Sequence, residues 1–121
     1  MWQFLKNIIA GEKIFSFPKT KGQIRQNVPL AKKTWMGVGG NASYYFEPED
    51  EEDLAHLIKY CSQIPILILG GGSNIIVRDG GVPGLTIHLG KPFTNVKRDG
   101  DDIVCGAGLL SVDLSRFAQK N

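Results

Sequence analysis

Gly70, Gly71, Gly72, Ser73 and Asn74 are the residues whose types and spacing most directly imply chemistry. They follow an apolar run, Ile64-Pro65-Ile66-Leu67-Ile68-Leu69, and precede another, Ile75-Ile76-Val77. Consecutive glycines let the backbone take positive φ and approach a ligand with no Cβ in the way. Their N–H groups can turn inward as a nest for phosphate oxygens. Ser73 and Asn74 add side-chain donors. Residues 70–74 therefore read as a diphosphate cradle.

Two familiar phosphate loops do not fit. Ile75 stands where the dinucleotide fingerprint G-x-G-x-x-G needs its third glycine or alanine. Ile-Ile-Val reads as strand where that fingerprint must open a helix. No Gly-Lys-Ser/Thr is present, which excludes the nucleotide-hydrolase loop. The expected order is strand, glycine loop, strand, with a tight hairpin turn as the purely structural alternative. Two more glycine clusters flank expected strands: Gly37-Val38-Gly39-Gly40, and Gly106-Ala107-Gly108. Three clusters at strand ends suggest one extended ligand lying across several backbone loops.

The elements that must position these loops are legible from periodicity. Trp2, Phe4, Leu5, Ile8 and Ile9 have near-helical spacing, predicting a short helix over 2–10 ended at Gly11. Residues 11–33 read as irregular, with Pro18, Gly22 and Pro29 as breakers. A strand is expected over 42–47, closed by Pro48. Asp50 is placed to cap a helix carrying acids through its first turn and Asp53 at its third position. Leu54, Leu57, Ile58 and Cys61 form that helix's buried face, with His56 on the surface side. Residues 65–69 read as a buried strand, followed by strands over 75–77, 85–89 and 103–105. A last helix over 111–119 has Ser111 as its cap candidate. This order predicts an α+β fold with a small mixed sheet and flanking helices.

Composition bounds the function. The 121 residues are 42% hydrophobic and 21% charged, the balance of a globular chain rather than a disordered one. No run approaches the roughly 20 apolar residues of a membrane span. The start lacks the basic segment, apolar core and small-residue site of a secretory signal. A cytoplasmic protein with no membrane partner is expected. Lys6, Lys13, Lys19, Lys21, Arg25, Lys32 and Lys33 make the first 33 residues basic, but no aromatics interleave the stretch 19–33, so no nucleic-acid partner is expected. Cys61 and Cys105 are far apart with no ligand-spaced Cys or His nearby. They read as buried, reduced small hydrophobes, and no metal site is expected.

In order, the motifs Lys21-Gly22-Gln23-Ile24-Arg25-Gln26-Asn27-Val28-Pro29-Leu30, Thr34-Trp35-Met36-Gly37-Val38-Gly39-Gly40, Glu47-Pro48, Leu69-Gly70-Gly71-Gly72-Ser73-Asn74, Val77-Arg78-Asp79-Gly80-Gly81-Val82-Pro83-Gly84 and Gly106-Ala107-Gly108 resemble one family. It is the UDP-N-acetylenolpyruvoylglucosamine reductases, also called UDP-N-acetylmuramate dehydrogenases, and the resemblance runs over residues 21–121 of this chain against the family's N-terminal half. It implies an FAD-binding domain of the flavin-oxidase (PCMH) type, with the cofactor's diphosphate against residues 70–74 and with Val38, Gly39, Gly40, Gly106 and Gly108 as further candidates for cofactor contact. It divides the chain into an arm (1–20), a first FAD-binding subdomain (21–98) and the start of a second (99–121).

The reaction it implies is reduction of the flavin by NADPH and hydride delivery to UDP-N-acetylglucosamine enolpyruvate, a step of peptidoglycan synthesis. The family's proton-donating serine, catalytic glutamate and arginine match no residue here, so no catalytic residue and no turnover are expected of this chain alone. Weak or absent flavin retention and self-association through uncovered apolar surface are expected with it. A stand-alone nucleotide- or phosphate-binding module is the alternative. Two positions depart from the family pattern: Gly37 stands where a basic residue is common, and Asn41 where a proline is.

Overall fold

The computed structural model describes residues 15–121; the helix expected over 2–10 lies outside them. Among the described residues, six strands and two helices are arranged in an α+β fold. The strands are β1 (Ile24–Pro29), β2 (Asn41–Phe46), β3 (Ile66–Leu69), β4 (Val82–His88), β5 (Val96–Asp99) and β6 (Asp102–Cys105). Helix α1 spans Glu51–Tyr60 and α2 spans Ser111–Lys120, with 3-10 turns at Leu30–Lys33 and Lys91–Phe93.

Strands β1 to β4 form one mixed sheet in the order β1-β2-β4-β3. Strand β1 is antiparallel to β2, while β4 is parallel to both β2 and β3. The chain thus passes from β2 through α1 to β3, leaving a gap that β4 later fills. Between Ala42 and Tyr44 the register against β4 slips, β4 advancing from Val82 to Leu85 while β2 advances two residues. Gly84 sits in that bulge at φ 80°, where a Cβ would fall 2.3 Å from the Pro65 carbonyl oxygen.

One core joins Tyr44, Phe46, Leu85 and Ile87 of the sheet to Leu57 and Cys61 of α1, with Ile64, Leu89 and Phe93. A second gathers Val28, Leu30, Ala42, Tyr45, Leu69 and Val77.

Several expectations change. Residues 24–29, read as irregular, are an edge strand; Pro29 closes it, where a missing N–H costs no ladder bond. Residues 75–77 are not a strand, although Val77 is buried. They belong to the 70–81 connection, which must run back so that β4 can start parallel to β3, and parallel neighbours cannot be joined by a hairpin. Strand β3 is not buried throughout, since it is the sheet's edge and leaves Ile66 and Ile68 exposed.

Ile58 is likewise exposed, and Cys105 lies on β6, all four of whose residues face water. Strand β5, absent from the sequence reading, pairs with β6 in a separate hairpin. The expected division at 98/99 falls inside this hairpin, so a boundary before Val96 respects the pairing. Helix α2 begins as expected, but its cap is Leu110, with no side-chain hydrogen bond, and Ser111 is the first helical residue. None of its residues is buried.

The start of α1 ties down the segment before β1. Asp50 Oδ1 accepts the Asp53 N–H at 2.8 Å, the expected cap. Asp53 itself is buried, and its carboxylate accepts the N–H groups of Lys21 (2.9 Å), Gly22 (2.8 Å) and Glu49 (3.1 Å). Gly22 is needed there because a Cβ would lie 2.0 Å from the Glu47 carbonyl oxygen. Burial opposes ionisation of Asp53, but the N–H groups of Gly22, Lys21 and Glu49 outweigh it and hold the carboxyl below its usual range.

A depressed folded-state pKa contributes stability above the ordinary carboxylate value of about 3.9, lost as pH falls through the folded value. Asp53→Asn is expected to lower the unfolding free energy by about 2–3 kcal/mol near neutral pH. It should also flatten the loss of stability below about pH 5. Urea titrations of both proteins across that range test this, and an acid limb identical in the two would assign the sensitivity to another carboxylate.

Candidate functional site

The glycine loop leaves the sheet at the C-terminal end of β3, where the Leu89 N–H donates to the Leu69 carbonyl at 2.8 Å. Residues 70–74, with Ile68, Leu69 and Ile75, line a concavity of ≈ 330 Å³. Among the described residues, the N–H groups of 70–74 donate to no protein acceptor. Ser73 and Asn74 are exposed, and neither side chain hydrogen-bonds a described residue. Five main-chain donors in sequence at the carboxyl end of parallel strands suit a polyanionic ligand, whose oxygens would satisfy them.

The three glycines have different duties. Gly72 has φ 69°, and a Cβ on it would lie 2.4 Å from the Lys33 carbonyl oxygen and 3.0 Å from Thr34 Cα. Its carbonyl accepts the Trp35 N–H at 2.9 Å. A Cβ on Gly71 would meet only the tip of the Leu110 side chain, at 2.3 Å. Gly70 has no such neighbour; the nearest atom, the Ala107 carbonyl oxygen, is 3.7 Å away. Packing thus accounts for Gly72, while nothing in the described fold demands glycine at 70.

The other clusters meet this loop through backbone. Gly106 and Gly108 donate to the carbonyls of Asn95 (2.8 Å) and Phe93 (2.9 Å), and added Cβ atoms would strike Phe93 and Leu89 oxygens. That anchorage brings Ala107 and Leu110 beside Gly70 and Gly71. Gly39 and Gly40 lie against the return segment, where Cβ atoms would fall 2.2 Å from the Val77 oxygen and 2.3 Å from the Asp79 oxygen. The Gly40 N–H donates to Arg78 at 2.9 Å, and Val38 is exposed. The structure therefore brings 106–110 to the cradle, and sets 39–40 along the segment that leads out of it. No local pattern in the sequence marks the contact of Gly72 with 33–35.

Two other polar groupings are satisfied internally. Glu47 Oε1 lies 3.1 Å from both the Tyr45 hydroxyl and His88 Nδ1, and Oε2 accepts from Arg25 at 2.8 Å. Burial works against ionisation of Glu47, but His88, Tyr45, Lys33 and Arg25 together hold its carboxyl low. This knot joins β1, β2 and β4. A larger concavity of ≈ 440 Å³ beside α1 is lined by Lys19, Thr20, Lys21, Glu52, Asp53 and His56. Its carboxylates are already committed to Lys21 and main-chain N–H groups, whereas the smaller glycine-lined one keeps its donors free.

Loop and fold together define the class: the chain belongs to the FAD binding domain family, matched over residues 42–121. Its relatives narrow this further. It is 46% identical over 104 residues to UDP-N-acetylenolpyruvoylglucosamine reductase of Azorhizobium caulinodans, covering 85% of this chain and 34% of that protein. It is 43% identical over 105 residues to the Rickettsia felis protein of that name, covering 86% and 36%. The crystal structure of UDP-N-acetylenolpyruvylglucosamine reductase (MurB) from Thermus caldophilus superposes with a TM-score of 0.62 at 34% identity. That match covers 82% of this chain and 34% of the other. The chain spans about a third of the length of these relatives.

Gly72→Ala is expected to cost about 2–4 kcal/mol, through positive φ and a backbone clash. Gly70→Ala should stay within about 0.5 kcal/mol of the parent. Denaturant midpoints of the two variants check the division of duties; equal losses would contradict it.

Proposed function

We propose that this chain is the FAD-holding portion of an NADPH-dependent reductase acting on UDP-N-acetylglucosamine enolpyruvate, with UDP-N-acetylmuramate as product for peptidoglycan synthesis. The observation that carries the cofactor assignment is the run of five unpartnered N–H groups at 70–74 in a chain of the FAD binding domain family. The substrate follows from the relatives' shared name and the motif resemblance, and NADPH from the motif resemblance. In this reading 70–74 hold the diphosphate, Ala107 and Leu110 border it, and 38–40, 106 and 108 shape the surrounding backbone. The flavin, when bound, supplies hydride transfer; this chain's residues bind and orient it.

The first subdomain of this reading is the expected 21–98, drawn back to end at 95 so that the β5–β6 hairpin stays whole, and the remainder to 121 opens the second. Turnover by these 121 residues alone is not part of this reading, because the family's proton-donating serine, catalytic glutamate and arginine match none of them. No described helix is long and apolar enough to cross a membrane. The reading places the protein in the cytoplasm, where its nucleotide ligands are made. Exposed Ile66, Ile68, Ile103, Val104 and Val112 favour self-association of the isolated chain.

Calorimetric titration with FAD tests the cradle. Weak but saturable binding is expected, reduced at least tenfold, or about 1.4 kcal/mol, by Gly70→Val. Gly70 is the cleaner probe than Gly71, whose substitution also displaces Leu110. Unchanged affinity in the folded Gly70→Val chain would remove the loop from the site. Sedimentation velocity over a wide concentration range should show association, and a monomer throughout would refute that part.

A further inference from the structure

Residues 34–37 form a turn closed by the Gly37 N–H donating to the Thr34 carbonyl at 3.3 Å. Its corners are Trp35 and Met36, 71% and 56% exposed, and Val38 follows at 49%. Turn corners face water and ordinarily take Gly, Pro, Asn, Asp or Ser. Here three large apolar side chains occupy and follow them, and the fold buries none of the three.

This turn is fastened to the cradle. The Trp35 N–H donates to the Gly72 carbonyl at 2.9 Å, and Gly72 has no room for a Cβ against Thr34 and Lys33. An exposed indole therefore springs from backbone bonded directly to the loop that bears five free N–H groups. In a flavin dinucleotide each planar ring is joined to the diphosphate through one five-carbon linker, ribose for adenine and ribityl for isoalloxazine. Free donors on the loop and an uncovered aromatic side chain on the backbone bonded to it supply the two kinds of group that a nucleotide site needs.

We infer that Trp35 is the stacking platform for a planar ring of the dinucleotide whose diphosphate lies against 70–74, with Met36 and Val38 as its apolar border. This rests on the FAD reading above. Indole presents a large rigid face with few rotatable bonds, and it stacks on any flat heteroaromatic ring. A protein segment laid over the turn and loop instead would bury five N–H groups and need to supply an acceptor for each. Adenine and isoalloxazine share the required chemistry, so the test separates them.

The chain has two tryptophans, so Trp2→Phe leaves Trp35 as the sole indole. That protein is titrated with FAD, ADP and FMN, following indole emission and, separately, calorimetric heat. FAD is expected to quench the emission. Trp35→Ala should weaken FAD binding about tenfold, while Trp35→Phe, which keeps a ring, stays within about threefold of the parent. Quenching by ADP but not FMN assigns the platform to adenine; the reverse assigns it to isoalloxazine. Because Trp35 is exposed, the denaturant midpoint of Trp35→Ala should match the parent. Calorimetric FAD binding of equal strength in Trp35→Ala, with or without quenching in the parent, overturns the inference and leaves the cradle standing. Absence of FAD binding at any concentration removes the cradle and the platform together.

Discussion

The insertion of β4 between β2 and β3, parallel to both, is the constraint on which the rest depends. A chain leaving the carboxyl end of β3 cannot turn directly into a parallel neighbour. It must travel back to the far end of the sheet first. Residues 70–81 make that journey with no helix, so the polypeptide bends away immediately after Leu69. The bend frees the N–H groups of 70–74 from any ladder. The return path presses against 33–35 and 39–40, and Val77 completes the second core on the way. Cradle and core thus arise from one topological demand.

Glycine serves this arrangement in two ways. At 39, 40, 72, 106 and 108, backbone approaches backbone so closely that any Cβ would collide with a carbonyl oxygen. These positions hold the loops against one another. Gly70 has no comparable neighbour within the chain, and its open side belongs to the lined concavity. The contrast separates glycines consumed by packing from one that packing does not require. Polar knots do the corresponding work elsewhere: Asp53 gathers three N–H groups from the chain before β1 and the turn before α1, and Glu47 ties β1, β2 and β4 through Arg25, Tyr45 and His88.

Local signals suffice where local physics decides. Asp50 and the acids after it mark a helix start because capping and the helix dipole act within one turn. Leu57 and Cys61 fall on the buried face by helical period. The strand over 42–47 is marked by its aromatics. Strand β1 was invisible because an edge strand with Arg25, Gln26 and Asn27 shows no clean alternation, and its pairing with β2 is nonlocal. The exposure of Ile58, Ile66 and Ile68 was equally hidden, since an apolar residue is buried only if some other element reaches it.

By itself the sequence determined the glycine loop, the capped helix, the α+β composition and the motif order that points to a flavin dinucleotide. Each depends on residue type and short-range spacing. Only the tertiary structure decided that residues 75–77 are a return segment rather than a strand, because that follows from which strands become parallel neighbours. It also decided which glycines are consumed by packing, and that Trp35 is bonded to the loop at Gly72, 37 residues away along the chain. Contacts of that range arise only when separate segments are brought together, and no local pattern of residues encodes them.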